Sequence, residues 1–261
     1  MKENKWTYPE FEKLLQDIYA KDSGKSIQPA YIDPLALMAS YNTGFASFDQ
    51  STGQFKSNMG DSKLADAWTY YLRLEKAKLT GPYTSTNFQA GILCFYMKSA
   101  YGLKATGTWK NMNKDDIGFV ELPKVTASQD GYRAVQTNTC GYGIVRGSTN
   151  PLSAGAFIKY YLDTANYKTA KGTDGKTAYD TAFLTPAARD FYFNLVKKPV
   201  TGNQFNLWSG VYQLTYPGGW ASSCSFMTGT SPDDVSKKLT DITPDVTSMI
   251  NRANNVLNNA K

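Results

Sequence analysis

The chain contains no histidine. That absence removes the Ser-His-Asp and Cys-His nucleophile systems, most zinc sites and any imidazole proton shuttle near neutral pH. Catalysis would have to run on carboxylates or lysine. Cysteine is scarce as well: Cys94, Cys140 and Cys224 lie far apart at irregular intervals, with no CxxC pair and no metal-ligand rhythm. They are expected as small buried apolar residues, and the spacing does not choose a disulfide pair among them. Long apolar runs are missing. The longest, Ala90 to Met97, falls far short of the ~20 residues that a membrane-spanning helix needs, so no transmembrane segment is expected. Basic residues exceed acidic ones by 28 to 22, a net charge of +6, yet no Lys/Arg block forms, which argues against a nucleic-acid partner. Met1 to Trp6 carries basic residues without an apolar segment behind them or a cysteine to lipidate. This is not a signal peptide, and if the protein is exported its export signal is expected to lie outside this sequence.

What is present points to a packed core. Of 261 residues 41% are hydrophobic and only 19% charged, which excludes a largely disordered chain. Aromatics reach 14%, with 18 Tyr, 13 Phe and 5 Trp. Tyr and Trp combine a flat apolar face with a polar edge, a combination suited to sugar rings as well as to cores.

Helix signals recur along the chain. Thr7 with Pro9 and Glu10 predicts a helix over Tyr8 to Lys21 burying Phe11, Leu14, Leu15 and Ile18. A short helix is expected over Leu35 to Ser40, followed by a turn at Tyr41-Asn42-Thr43-Gly44. Phe45 to Phe55 alternates around Asp49-Gln50-Ser51-Thr52-Gly53 and predicts a hairpin. Asp61-Ser62 opens the clearest helix, Lys63 to Lys78, with the stripe Leu64, Ala67, Trp68, Tyr71, Leu72 and Leu74. Buried strands are expected at Ile92 to Met97, Ile117 to Pro123 and Gly141 to Val145. Asn150-Pro151 caps a helix to about Leu162 with Ala156, Phe157, Tyr160 and Tyr161 on its inner face, and Thr185-Pro186 caps another, Ala187 to Val196. Two further helices are expected, one after Ser231-Pro232 and the last after Thr243-Pro244.

Candidate catalytic patterns have plainer readings. Asp115-Asp116 and Asp233-Asp234 are sequence neighbours whose side chains diverge, at positions that suit turns and helix starts. Gly141-Tyr142-Gly143 lacks the third glycine of a dinucleotide fingerprint.

Six segments taken in order carry more weight than any one of them. Trp6-Thr7-Tyr8-Pro9-Glu10-Phe11 resembles a W-T-x-x-E-F helix opening, Phe48-Asp49 through Gly53-Gln54-Phe55 a short hairpin, and Asp61 to Leu74 the helix after it. Phe88-Gln89-Ala90-Gly91, then Asp116-Ile117-Gly118-Phe119-Val120-Glu121-Leu122-Pro123, then Gly141 through Asn150-Pro151 continue the series. Together they resemble the extracellular solute-binding proteins of carbohydrate ABC importers, the maltose-binding-protein-like family, over nearly the whole chain. The resemblance implies an α/β fold of the periplasmic-binding-protein-like II architecture: one nearly complete lobe plus a remnant of the second. The C-terminal lobe spans 1–137, a remnant of the N-terminal lobe 138–196, and 197–261 returns to the C-terminal lobe. About a hundred family residues would precede the Trp6 motif.

It also implies non-catalytic binding of a sugar or oligosaccharide by a bacterial protein outside the cytoplasmic membrane. The ligand would be delivered to ABC permease subunits, with no cofactor and no metal. Tyr101, by the register of the strand before it, falls where the family commonly places a stacking aromatic, and Trp208 is its late counterpart. Asn42, Tyr142 and Trp220 are further candidates for polar, edge or loop contacts. A glycan-active enzyme with two convergent carboxylates, or a non-transport surface adhesion module, are the competing functions.

Overall fold

The structure, a computed structural model, describes residues 6–22, 26–81, 85–97, 112, 117–132, 144, 148–163, 182–196, 204–205, 227 and 229–259. The chain divides into two compact units, one of Met1–Lys98, Glu121–Val135 and Lys198–Lys261, the other of Ser99–Val120 and Gln136–Lys197. In the second unit the Phe119 ring packs 5.8 Å from that of Phe191.

In the first unit, helix α1 (Tyr8–Asp22) begins as the capping residues require: the Thr7 Oγ1 accepts from Glu10 N at 3.5 Å. Its buried face is Tyr8, Phe11 and Leu15, whereas Leu14, expected inside, is 37% exposed. Strand β1 (Gln28–Tyr31) pairs in parallel with β4 (Leu93–Tyr96), Ala30 opposite Phe95 and Tyr31 opposite Tyr96. Between them in sequence run α2 (Pro34–Ser40), the antiparallel hairpin β2 (Ala46–Asp49) and β3 (Gln54–Ser57), α3 (Ser62–Lys76) and the short α4 (Ser85–Gln89). Asp61 caps α3 by accepting from Lys63 N at 3.0 Å. The hairpin reverses at Gly53, whose φ of 67° is open to glycine without a Cβ clash.

The buried strand expected over 117–123 is not a strand. A single parallel bridge joins Lys124 to Thr7, held by Tyr8 N to Lys124 O at 2.9 Å and Lys124 N to Trp6 O at 3.0 Å. Pro123 has no N–H for a ladder. Val120, expected inside a buried strand, is 43% exposed.

Two apolar clusters build this unit, and α3 serves both. Leu64, Ala67, Trp68 and Leu72 pack with Met38, Phe45 and Met59 and with Val235, Leu239, Ile242, Val246, Met249 and Ile250. Tyr70 and Leu74 pack with Tyr8, Phe11, Leu15, Ile32, Leu37 and Leu79. This double duty explains why its apolar stripe is broad.

The last helix departs from expectation. Where two helices meeting at Thr243-Pro244 are predicted, a 3-10 turn at Pro232–Asp234 leads into one helix, Val235–Asn259, with Pro244 inside it. This helix is α7 in chain order. The apolar spacing runs in phase through the proline, so both halves bury against the same surface. An interior proline costs about 3 kcal/mol, while burying Val246, Met249 and Ile250 returns roughly 1.5–3 kcal/mol each. Packing wins over the local helix-start signal.

In the second unit, α5 (Pro151–Leu162) starts at Asn150, whose Oδ1 accepts from Ser153 N at 3.3 Å. The expected inner face is outside: Phe157 is 65% and Tyr160 69% exposed. The helix instead turns inward Ala154, Gly155 and Ile158, which are half-buried, and a Cβ on Gly155 would sit 3.7 Å from Ile144 Cδ1. Helix α6 (Pro186–Val196) is capped by Thr185, whose Oγ1 accepts from Ala188 N at 3.0 Å. Phe183, before it, packs its ring 5.3 Å from that of Tyr192. The strand expected at Gly141 to Val145 lies outside the described residues except for the exposed Ile144. A two-residue strand β5 (Gln204–Phe205), back in the first unit, pairs antiparallel with β2.

Candidate functional site

Strand alternation sorts the side chains of β1 and β4 onto two faces. Ala30 and Phe95 turn toward α1, where the Phe95 ring meets that of Phe11 edge-on at 5.3 Å. Tyr31 and Tyr96 therefore take the opposite face, at the last position of each strand. Their rings stack at 5.6 Å with 29° between planes. Phe88 of α4 extends the row, its ring 5.5 Å from Tyr96 at 37°. All three are half-buried. The row thus stands at the carboxyl ends of two parallel strands, the position at which open parallel sheets take up ligands. It presents apolar ring surface with two phenolic hydroxyls, each able to donate and accept.

Cys94 lies on the same face. It is exposed, not buried as expected, and β4 is therefore not covered on both faces. Partial burial of its thiol, and secondarily the Asp22 carboxylate, push its pKa up. Such a thiol is a poorer nucleophile than a free one.

Of the five residues singled out from the sequence, Tyr101, Tyr142, Trp208 and Trp220 lie outside the described residues. Asn42 is described, and it ends α2. Its φ is 57°, its N–H donates to Ala39 O at 2.9 Å, and Thr43 N donates to Met38 O at 3.1 Å. These are the paired bonds of a Schellman cap, with asparagine in the left-handed position. The same pair of bonds closes α3, where Lys78 has φ 58° and donates to Glu75 O while Leu79 N reaches Leu74 O. It also closes α4, through Gly91 and Ile92.

Behind the Tyr31 row lies a buried polar group that holds α1, α2 and α3 together. Ser40 Oγ donates to Leu37 O at 2.6 Å, so its contact with Tyr8 Oη at 2.6 Å has the phenol as donor. Tyr70 Oη donates to Tyr8 O at 3.2 Å. Burial raises the pKa of all three tyrosines here, Tyr41 to about 12 and Tyr8 and Tyr70 further. At neutral pH all three are protonated, and Tyr8 and Tyr70 act as hydrogen-bond donors within the fold. On the other side of α3, a shallow depression of 290 Å³ is lined by Leu72, Glu75, Lys76 and Gly229 to Pro232. Among the described residues no group of three His, Cys, Asp or Glu stands together to hold a metal ion, and no helix is long and apolar enough to cross a membrane.

Sequence reasoning missed Tyr31, Tyr96 and Phe88. Strand β1 has four residues and a proline in second place, too short for a period-2 signal. Only the parallel pairing brings Tyr31 beside Tyr96.

No family model, no curated protein and no solved structure matches this chain.

Proposed function

We propose that this protein binds carbohydrate without chemical change, as the solute-binding subunit of an ABC-type importer working outside the cytoplasmic membrane and delivering its ligand to permease subunits. The observation that carries the reading is the stacked pair Tyr31 and Tyr96 at the carboxyl ends of parallel strands, extended by Phe88. Ring surface covers the apolar side of a pyranose, and the phenolic hydroxyls exchange hydrogen bonds with its hydroxyl groups. The ordered sequence motifs from Trp6 to Pro151 support the same class of ligand.

The test is a thermal-shift screen of the full chain against mono- and oligosaccharides. A ligand of the folded state raises stability by mass action, about 2.7 kcal/mol at a hundred times its Kd. The expected result is a dose-dependent rise in Tm for at least one sugar, reduced at least tenfold in apparent affinity by Tyr31→Ala and by Tyr96→Ala. A cooperatively folded sample that shifts with no sugar overturns the function. A shift that both variants keep overturns this site for it.

A further inference from the structure

We draw no further inference here: the strongest candidate, the exposed apolar face of α5 in the second unit, with Leu152 87%, Phe157 65% and Tyr160 69% exposed, carries nothing because nothing in the structure shows what covers it.

Discussion

The side-chain amide of Asn254 pairs with both backbone groups of Phe55: Phe55 N donates to its Oδ1 at 2.8 Å, and its Nδ2 donates to Phe55 O at 3.0 Å. The hairpin register makes this possible. Asn58 N donates to Phe45 O at 3.0 Å, and Phe48 stands opposite Phe55 with rings 5.1 Å apart. In antiparallel pairing, alternate residues turn their N–H and C=O away from the partner strand. Phe55 does so, and the amide from α7 takes the place of a further strand on that edge.

Asn254→Asp keeps the acceptor and turns the donor into a second carboxylate oxygen facing a carbonyl. We expect a loss of about 1–3 kcal/mol, against about 1 kcal/mol for Asn254→Ala, which lets water reach both groups. Urea midpoints at unchanged slope measure the difference. Equal stability of the Asp variant and the parent would show that the pair is not formed.

Above neutral pH the tyrosine group sets a limit. An unfolded tyrosine titrates near pH 10, and in the folded state Tyr41 is pushed up to about 12, with Tyr8 and Tyr70 beyond it, burial being the chief cause in each. The folded pKa is the higher, so the stabilisation is complete below about pH 10 and declines as pH rises through the folded values. Urea midpoints should hold from neutral pH to about 10 and then fall steeply toward about 12. Tyr8→Phe should cost about 1–2 kcal/mol at neutral pH, by removing the donor to Ser40, and make the alkaline decline shallower. A decline equally steep in that variant would remove Tyr8 from the explanation.

Lys78 occupies the left-handed region with a φ of 58°. A side chain there costs about 1–2 kcal/mol relative to an ordinary conformation, and glycine avoids the clash at some entropic cost. Lys78→Gly is expected to stabilise the fold by about 0.5–1 kcal/mol. Asn42→Gly should stay within about 0.5 kcal/mol of the parent, since asparagine tolerates this conformation, and should leave any sugar-induced Tm shift unchanged. Loss of that shift in Asn42→Gly would make Asn42 a ligand contact in addition to a cap.

Pro244 lies exposed within α7 and offers no N–H to the carbonyl one turn back. Pro244→Ala restores the bond without opening a cavity, so a gain of about 1–3 kcal/mol is expected. Were two separate helices to meet at this point, with the proline opening the second, the same change would bring no gain. Thermal denaturation of the two proteins distinguishes the arrangements.

Local chemistry was legible residue by residue. Thr7, Asp61, Asn150 and Thr185 each cap the helix their neighbours announce, because a side-chain oxygen reaches an N–H two or three residues ahead whatever the rest of the chain does. The reversal at Asp49 to Gly53 belongs to the same class. Of the candidate site only the residue types could be read, aromatic rings near strand ends, and the position chosen among the described residues, Asn42, closes a helix.

Where partners lie far apart in the chain, patterning runs out. The apolar periodicity of α5 identifies a helix correctly but not which side is covered, since that depends on the surfaces brought to it; Phe157 and Tyr160 face outward as a result. Pro244 signals a helix start, yet a stripe buried against α3 and β3 carries the helix through it. Tyr31 and Tyr96 become neighbours only when β1 and β4 pair in parallel, and Asn254 meets Phe55 only when α7 crosses the hairpin edge. Caps and turns were determined by the sequence alone, because their bonds span a few residues and cost little chain entropy to close. Strand pairing, helix rotation and the aromatic row were decided by the tertiary structure, because each depends on which distant surface removes apolar area from water.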